Sequence, residues 1–312
     1  MTPTPIRVTH RTRIAAPADR VYRIIADVTR WPVHFPPTVH AERLEQAGSE
    51  ETIQLWATAE DRLRTWRSWR RLDAARRRVA FEQTVPRHPV AAMGGVWRIE
   101  DDGRGGCVAL LDHHYRAVDD APAGLRRIAR AVDANSTAEL ASLKRAAERP
   151  DGDALLFSFM DTETIDGPLA EVYGFLNDLD AWAERIPHVH RIELREEEPG
   201  FQYMEMDTKS PDGSVHTTAS WRVCDRPRRI VYKQLTRPAV LAGHTGEWRL
   251  ETLEDGRVRA TSVHTVLVDP DAAARLPSPP ADTDALKTAV REALGANSRA
   301  TLAQAKAFVE GR

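Results

Sequence analysis

The feature that most constrains this chain is an internal repeat about 151 residues long. Ile14, Pro17, Val21, Tyr22, Asp27 and Trp31 return as Ile165, Pro168, Val172, Tyr173, Asp178 and Trp182, each at the same offset (182 minus 31 is 151). Gln83, Trp97, Arg98 and His113 return at that offset as Gln234, Trp248, Arg249 and His264. The unit Ser68-Trp69-Arg70 returns one residue out of phase as Ser220-Trp221-Arg222, as a bulge or loop insertion would cause. Ala134-Asn135-Ser136 matches Ala296-Asn297-Ser298, now 162 apart, the excess falling in the Pro-rich stretch Leu276-Pro277-Ser278-Pro279-Pro280. A period this long is a domain duplication and not a solenoid. Two domains are expected, 1–150 and 151–312, joined at the turn-rich Arg149-Pro150-Asp151-Gly152-Asp153.

Within each half the hydrophobic period changes in the same order. Residues 7–14 alternate like a strand. Pro17 then opens an amphipathic helix over Ala18–Thr29, with Val21, Ile24, Ile25 and Val28 on one face; Trp31-Pro32 is expected to end it. Alternating runs follow at about 39–46, 51–58, 62–72, 77–85, 94–100 and 107–117, with a hairpin signal at Asp102-Gly103 and Gly105-Gly106. A long helix over roughly 122–148 closes the half, with Leu125, Ile128, Val132, Ser136, Leu140 and Leu143 as its stripe. This is an α+β plan: a curved antiparallel sheet with a long helix across it. The space between them suits a small-molecule cavity.

Charge and cysteine usage narrow the function. A net charge of −2 gives no electrostatic case for nucleic acid or an anionic membrane. The two cysteines, Cys107 and Cys224, form neither a disulfide framework nor a metal motif. The opening Met1-Thr2-Pro3-Thr4-Pro5 lacks the pattern of a signal peptide, and no apolar run reaches membrane-spanning length, so a cytoplasmic protein is expected. No metal and no cofactor are expected. His188-Val189-His190 lacks further ligands at a recognisable spacing, and there is neither a phosphate-binding glycine loop nor a nucleophile elbow.

The candidate polar groups come from the pattern. Strand alternation places Ser68 and Arg70 on one face and Trp69 on the other. Arg is more often solvated than buried, yet the Ser-x-Arg pair is kept in both halves. His113 and His114 face opposite sides of a strand, and His113 recurs as His264. Glu139 falls inside the stripe of the long helix; it either reaches water at the stripe's edge or faces the cavity. Its counterpart, Thr301, cannot replace a carboxylate. Gly94-Gly95 marks a bulge or a close backbone approach, with Met93, matched by His244, at the cavity mouth.

Pro17, Val21-Tyr22, Asp27, Trp31-Pro32, the Trp66-x-Ser68-x-Arg70 strand, Met93 to Trp97 and the closing helix together resemble polyketide cyclase domains of the Bet v 1-like superfamily. The duplication resembles the di-domain aromatase/cyclases of bacterial type II polyketide synthases. The resemblance implies an α+β fold of two tandem helix-grip (Bet v 1-like/START) domains, each a curved antiparallel sheet around a long C-terminal helix with an internal cavity. It implies catalytic roles for Arg70, His113 and Glu139, and a substrate-binding wall of Trp66, Ser68, Gln83, Met93 and Trp97. A second pocket arginine of single-domain members is replaced here by Gln83. Ser220, Arg222, Gln234, His244 and His264 would form the second-domain pocket.

The implied reaction is an intramolecular aldol closure of an acyl-carrier-bound poly-β-ketone, followed by dehydration and aromatisation. First-ring C7–C12 closure is the implied regiochemistry. Partners would be the acyl-carrier-protein-bound substrate and other type II synthase components. A competing expectation is non-enzymatic binding or transport of a hydrophobic ligand, which outward-facing Arg70 and His113 would favour. Because only the first half keeps an acid on the facing helix, Arg70 is where the chemistry is expected.

Overall fold

The computed structural model describes residues 4–59, 62–150, 153–209 and 213–311. Asp151 and Gly152 of the expected linker, and Met1 to Pro3, lie outside the described residues. The chain divides into two compact units, Met1–Gly152 and Asp153–Arg312.

The first unit runs β1 (Ile6–Ile14), α1 (Ala18–Ala26), α2 (Trp31–His34), β2 (Thr38–Ala47), β3 (Glu50–Ala59), β4 (Arg62–Asp73), β5 (Arg78–Gln83), β6 (Val90–Asp101), β7 (Cys107–Ala117) and α3 (Pro122–Ala147). The second unit repeats this as β8 (Leu156–Ile165), α4 (Leu169–Asn177), α5 (Trp182–Arg185), β9 (Val189–Glu198), β10 (Phe201–Lys209), β11 (Val215–Asp225), β12 (Arg229–Thr236), β13 (Leu241–Thr252) and β14 (Val258–Val268). It adds α6 (Pro270–Ala274) before the closing helix α7 (Thr283–Glu310). Each unit holds one seven-stranded antiparallel sheet, in the order β1-β7-β6-β5-β4-β3-β2 and β8-β14-β13-β12-β11-β10-β9. This is the expected pair of tandem helix-grip domains.

The first helix is shorter than its apolar period suggests. It ends at Ala26, because Asp27 turns its carboxylate onto the Thr29 amide (3.2 Å) and hydroxyl (2.6 Å) and caps a separate 3₁₀ turn. Trp31-Pro32 therefore opens the short α2 and does not terminate α1. Proline is tolerated there, since first-turn amides have no intrahelical acceptor to lose.

Leu140 and Leu143 of α3 pack with Ile14, Val21, Ile25, Trp97 and Leu111 to make the first core. In α7, Leu302, Ala305 and Val309 pack with Ile165, Val172, Phe175, Leu176 and Trp248 to make the second. Midway along each long helix the buried side chains turn polar, Ser136 in α3 and Ser298 and Thr301 in α7, with Ile128 and Val132, and Leu286 and Val290, apolar again beyond them. That change of chemistry along one helix face is where the sheet and helix part.

Candidate functional site

In β11, alternation places Ser220 and Arg222 on the cavity side of the sheet, and both are buried. They line a second-domain cavity of about 110 Å³ together with Trp182, Tyr232, Trp248 and Thr301, among others. The Arg222 guanidinium is held from one side. Its Nη2 donates to the Leu176 carbonyl at 2.8 Å, at the C-terminal end of α4, and its Cζ lies 5.8 Å from the centre of the Trp182 ring. Nη1 is buried with no hydrogen-bond partner. Burial lowers the pKa of this arginine from its ordinary value.

Beside Arg222 runs a chain of hydrogen bonds. His244 Nδ1 lies 2.7 Å from Gln234 Oε1, and His244 Nε2 lies 2.9 Å from His264 Nδ1. His264 Nε2 then meets Ser298 Oγ at 2.7 Å and Ser262 Oγ at 3.2 Å. With the Gln234 carbonyl as acceptor, both Nδ1 atoms carry the proton, and His264 Nε2 accepts from a serine hydroxyl. Burial drives both imidazoles neutral, His244 to about 3 and His264 to about 4. A neutral imidazole can accept a proton at one nitrogen while releasing one at the other. The His264 ring is fixed by stacking on Phe159, with centroids 4.8 Å apart.

Tyr232 completes the group and was not anticipated from sequence. Its hydroxyl lies 3.3 Å from His264 Nδ1, and burial holds the phenol protonated. The ring has its position because Gly246, on the neighbouring strand, offers no Cβ; one there would collide with the Tyr232 ring. Gly95 does the same for Phe81 in the first domain, so the close-approach reading of Gly94-Gly95 applies at Gly95.

The first domain arranges the same positions differently. Ser68 and Arg70 face inward and are buried, and Trp69 takes the other face, where its indole donates to Glu50. Arg70 Nη2 donates to the carbonyls of Ile25 (2.9 Å) and Ala26 (3.2 Å). Its Nη1 lies 3.3 Å from Glu51 Oε1 as an ion pair without hydrogen-bond geometry, so the difference from Arg222 is the facing carboxylate and not the hydrogen-bond count. Desolvation, partly offset by Glu51, brings Arg70 down to about 10. His113 faces the helix, 3.4 Å from Ser136 Oγ, and burial lowers it to about 4; His114 points the other way to Glu82 at 2.8 Å. Met93 stands where His244 stands in the second domain, so the histidine pair is absent, and the Gln83 amide contacts the Met93 sulfur at 3.8 Å. Glu139 is half-buried on the stripe of α3, and desolvation pushes its carboxyl up to about 7. Trp97 is part of the core, and Trp66 packs against Val28, Ala41, Ile53 and Leu55. His188 lines the second cavity, whereas His190 is exposed on β9, so these two do not act together.

The histidine pair has a consequence for acid stability. An imidazole whose pKa is depressed by folding contributes stability that is present above its ordinary value near 6.5 and is lost as pH falls towards about 4 for His264 and about 3 for His244. His244→Met, which copies Met93, is expected to flatten the decline of stability between pH 6.5 and 4 by about 1.4 kcal/mol per pH unit. Denaturant unfolding at several pH values reads this; an unchanged slope would contradict it.

Comparison with known proteins gives a consistent set of relatives. A family model described as polyketide cyclase/dehydrase and lipid transport matches twice, over residues 5–148 and 157–310. The granaticin polyketide synthase bifunctional cyclase/dehydratase of Streptomyces violaceoruber is 40% identical over 305 residues, 97% of this chain and 94% of that protein. The actinorhodin polyketide synthase bifunctional cyclase/dehydratase of Streptomyces coelicolor is 42% identical, covering 96% of each chain. The crystal structure of the di-domain ARO/CYC BexL from the BE-7585A pathway superimposes with a TM-score of 0.87 at 46% identity, over 98% of this chain and 99% of that one. The di-domain ARO/CYC StfQ from the steffimycin pathway does so with a TM-score of 0.83 at 32% identity, over the same shares of the two chains.

Proposed function

The chain belongs to the polyketide cyclase/dehydrase and lipid-transport family, and we propose that it is an aromatase/cyclase in which the two domains divide the work. Its relatives are bifunctional cyclase/dehydratases over nearly their whole length, which supports both activities in one chain. The substrate is a poly-β-ketone, presented on an acyl carrier protein by the synthase. The reading places the chain in the cytoplasm beside that synthase; among the described residues no helix is long and apolar enough to cross a membrane.

In the second-domain cavity, the Arg222 Nη1 donor stabilises the enolate of the attacking methylene and then the alkoxide formed at the ketone. The C–C bond forms as the ketone π-bond breaks, and the alkoxide takes a proton to become a hydroxyl. The Tyr232 hydroxyl and the neutral His264–His244 pair supply and collect these protons. The aromatic walls of Trp182 and Trp248 hold the chain so that its ends meet. In the first domain, Arg70 is neutralised by Glu51 and suits an uncharged ring-closed intermediate. Glu139, near 7, is then poised as the acid that protonates the departing hydroxyl as water, with His113 taking the ring proton. First-ring C7–C12 closure is the proposed regiochemistry.

The observation that carries this reading is the unpaired, buried Nη1 of Arg222 in a cavity that also holds two neutral histidines. A ligand carrier would need an apolar cavity without such convergence, and inward-facing Arg70 and Arg222 count against one. The test is reconstitution with a carrier-bound poly-β-ketone, with and without this chain. The expected result is a rise in the ratio of ring-closed aromatic product to spontaneous shunt products. An unchanged ratio would refute the assignment.

A further inference from the structure

The two arginines differ in their counter-ion. In the β3–β4 register Glu51 lies opposite Arg70, and in the β10–β11 register Gln202 lies opposite Arg222. Glu51 is buried; besides facing Arg70 it accepts from Arg43 Nε at 2.6 Å. The Arg43 side chain is about a third exposed (34%) and reaches the solvent edge, so Arg70 and Glu51 are the two fully buried charges of this group and cancel as a pair, with Arg43 still acting on Arg70 from the rim.

In the second domain the carboxylate is gone. Gln202 is neutral and turned aside, its Nε2 donating to Glu196 Oε2 at 2.8 Å and its Oε1 accepting from Cys224 Sγ at 3.4 Å. Leu194 occupies the place of Arg43. Among the described residues no carboxylate lies within ion-pair distance of Arg222; Glu196, which acts on it from further away, is exposed. A buried charge with one donor end unsatisfied is costly, and Arg222 lines the cavity, so a ligand there with an acceptor oxygen would satisfy that end.

We infer that the second-domain cavity is a receptor for a planar organic monoanion, its charge shared by two oxygens, and that the Glu51-to-Gln202 exchange is what makes Arg222 available to it. The β-diketone enolate and the carboxylate share this chemistry, and one charged oxygen of either can meet the Nη1 donor. The inference takes this cavity as the site of the proposed reaction and names the charge state it selects. The first domain, with its internal carboxylate, selects against the same charge.

The test is isothermal titration of the full chain with unreactive probes. One is 5,5-dimethylcyclohexane-1,3-dione, largely enolate at neutral pH, set against its neutral methyl enol ether. The other is benzoate, set against benzamide. One site per chain is expected, with the neutral partner weaker by about tenfold or more. Gln202→Glu, which restores the first-domain arrangement, is expected to weaken anion binding by about tenfold or more. Glu51→Gln is expected to create a second anion site, lost again on adding Arg70→Met. Binding of the dione alone or of benzoate alone supports the site and assigns it to enolate or carboxylate. Failure of both anions, equal binding of the neutral partners, or indifference to Gln202→Glu would overturn it. Neither probe turns over, so anion binding without any effect on polyketide product ratios would refute the proposed function and leave this inference standing.

Discussion

Arg222→Ala is expected to slow ring closure by about 10²–10³-fold, the loss typical of removing one preorganised donor from a developing oxyanion. The size follows from the environment. Arg222 is 2% exposed, its Nη2 is anchored on the Leu176 carbonyl, and the free Nη1 needs no rearrangement to meet charge. Arg222→Lys keeps the charge but puts its donors on one nitrogen in place of the planar fork that holds Leu176 with one nitrogen and leaves another free, so it should fall between wild type and alanine. Single-turnover conversion of a carrier-bound poly-β-ketone measures this, with circular dichroism to show that the variants fold. A folded alanine variant closing the ring at the wild-type rate would contradict the role.

Glu139→Gln is expected to slow dehydration by about 10²–10⁴-fold while leaving ring closure intact, the range typical of losing a general acid. Desolvation brings the carboxyl to about 7, so near neutral pH it is shared between its acid and its carboxylate form. Only the acid form can protonate a departing hydroxyl. The wild-type dehydration rate should therefore fall as pH rises through about 7, and the residual rate of the glutamine variant should lack that step. Stability carries the same sign. A carboxyl whose pKa is raised by folding contributes stability that is fully present below its ordinary value of 4.5 and is lost as pH rises through about 7. Glu139→Gln should therefore remove one source of the fall in stability between pH 4.5 and about 7.

Much of this arrangement is legible in the chain before any coordinates. The 151-residue repeat and the equivalence of His113 and His264 follow from the chain's likeness to itself, and the inward turn of Ser68, Arg70, Ser220 and Arg222 from local alternation. What was hidden depends on register between strands, which local periodicity does not specify. Glu51 reads as one more acid near the start of β3 until it is found opposite Arg70, and Gln202 becomes informative only as its counterpart. His244 and His264 are twenty residues apart on β13 and β14, and their 2.9 Å contact arises from that pairing. Tyr232 could have been noticed through its 151-residue match to Phe81, an aromatic kept with a hydroxyl added. The expectation that the chemistry gathers at Arg70 followed from Glu139 alone. The buried partner of Arg70 and the free end of Arg222 shift the proposed charge-stabilising role to the second domain.

The most direct test of this unequal pair is the mass and shape of the carrier-bound product made by Arg222→Ala and by Glu139→Gln under identical conditions. Ring closure alone leaves the mass of the substrate unchanged, because the aldol product is its isomer, whereas the finished ring is lighter by water. The account predicts shunt products from Arg222→Ala, and from Glu139→Gln a ring-closed product that has lost no water. Shunt products from Glu139→Gln together with normal ring closure by Arg222→Ala would contradict it.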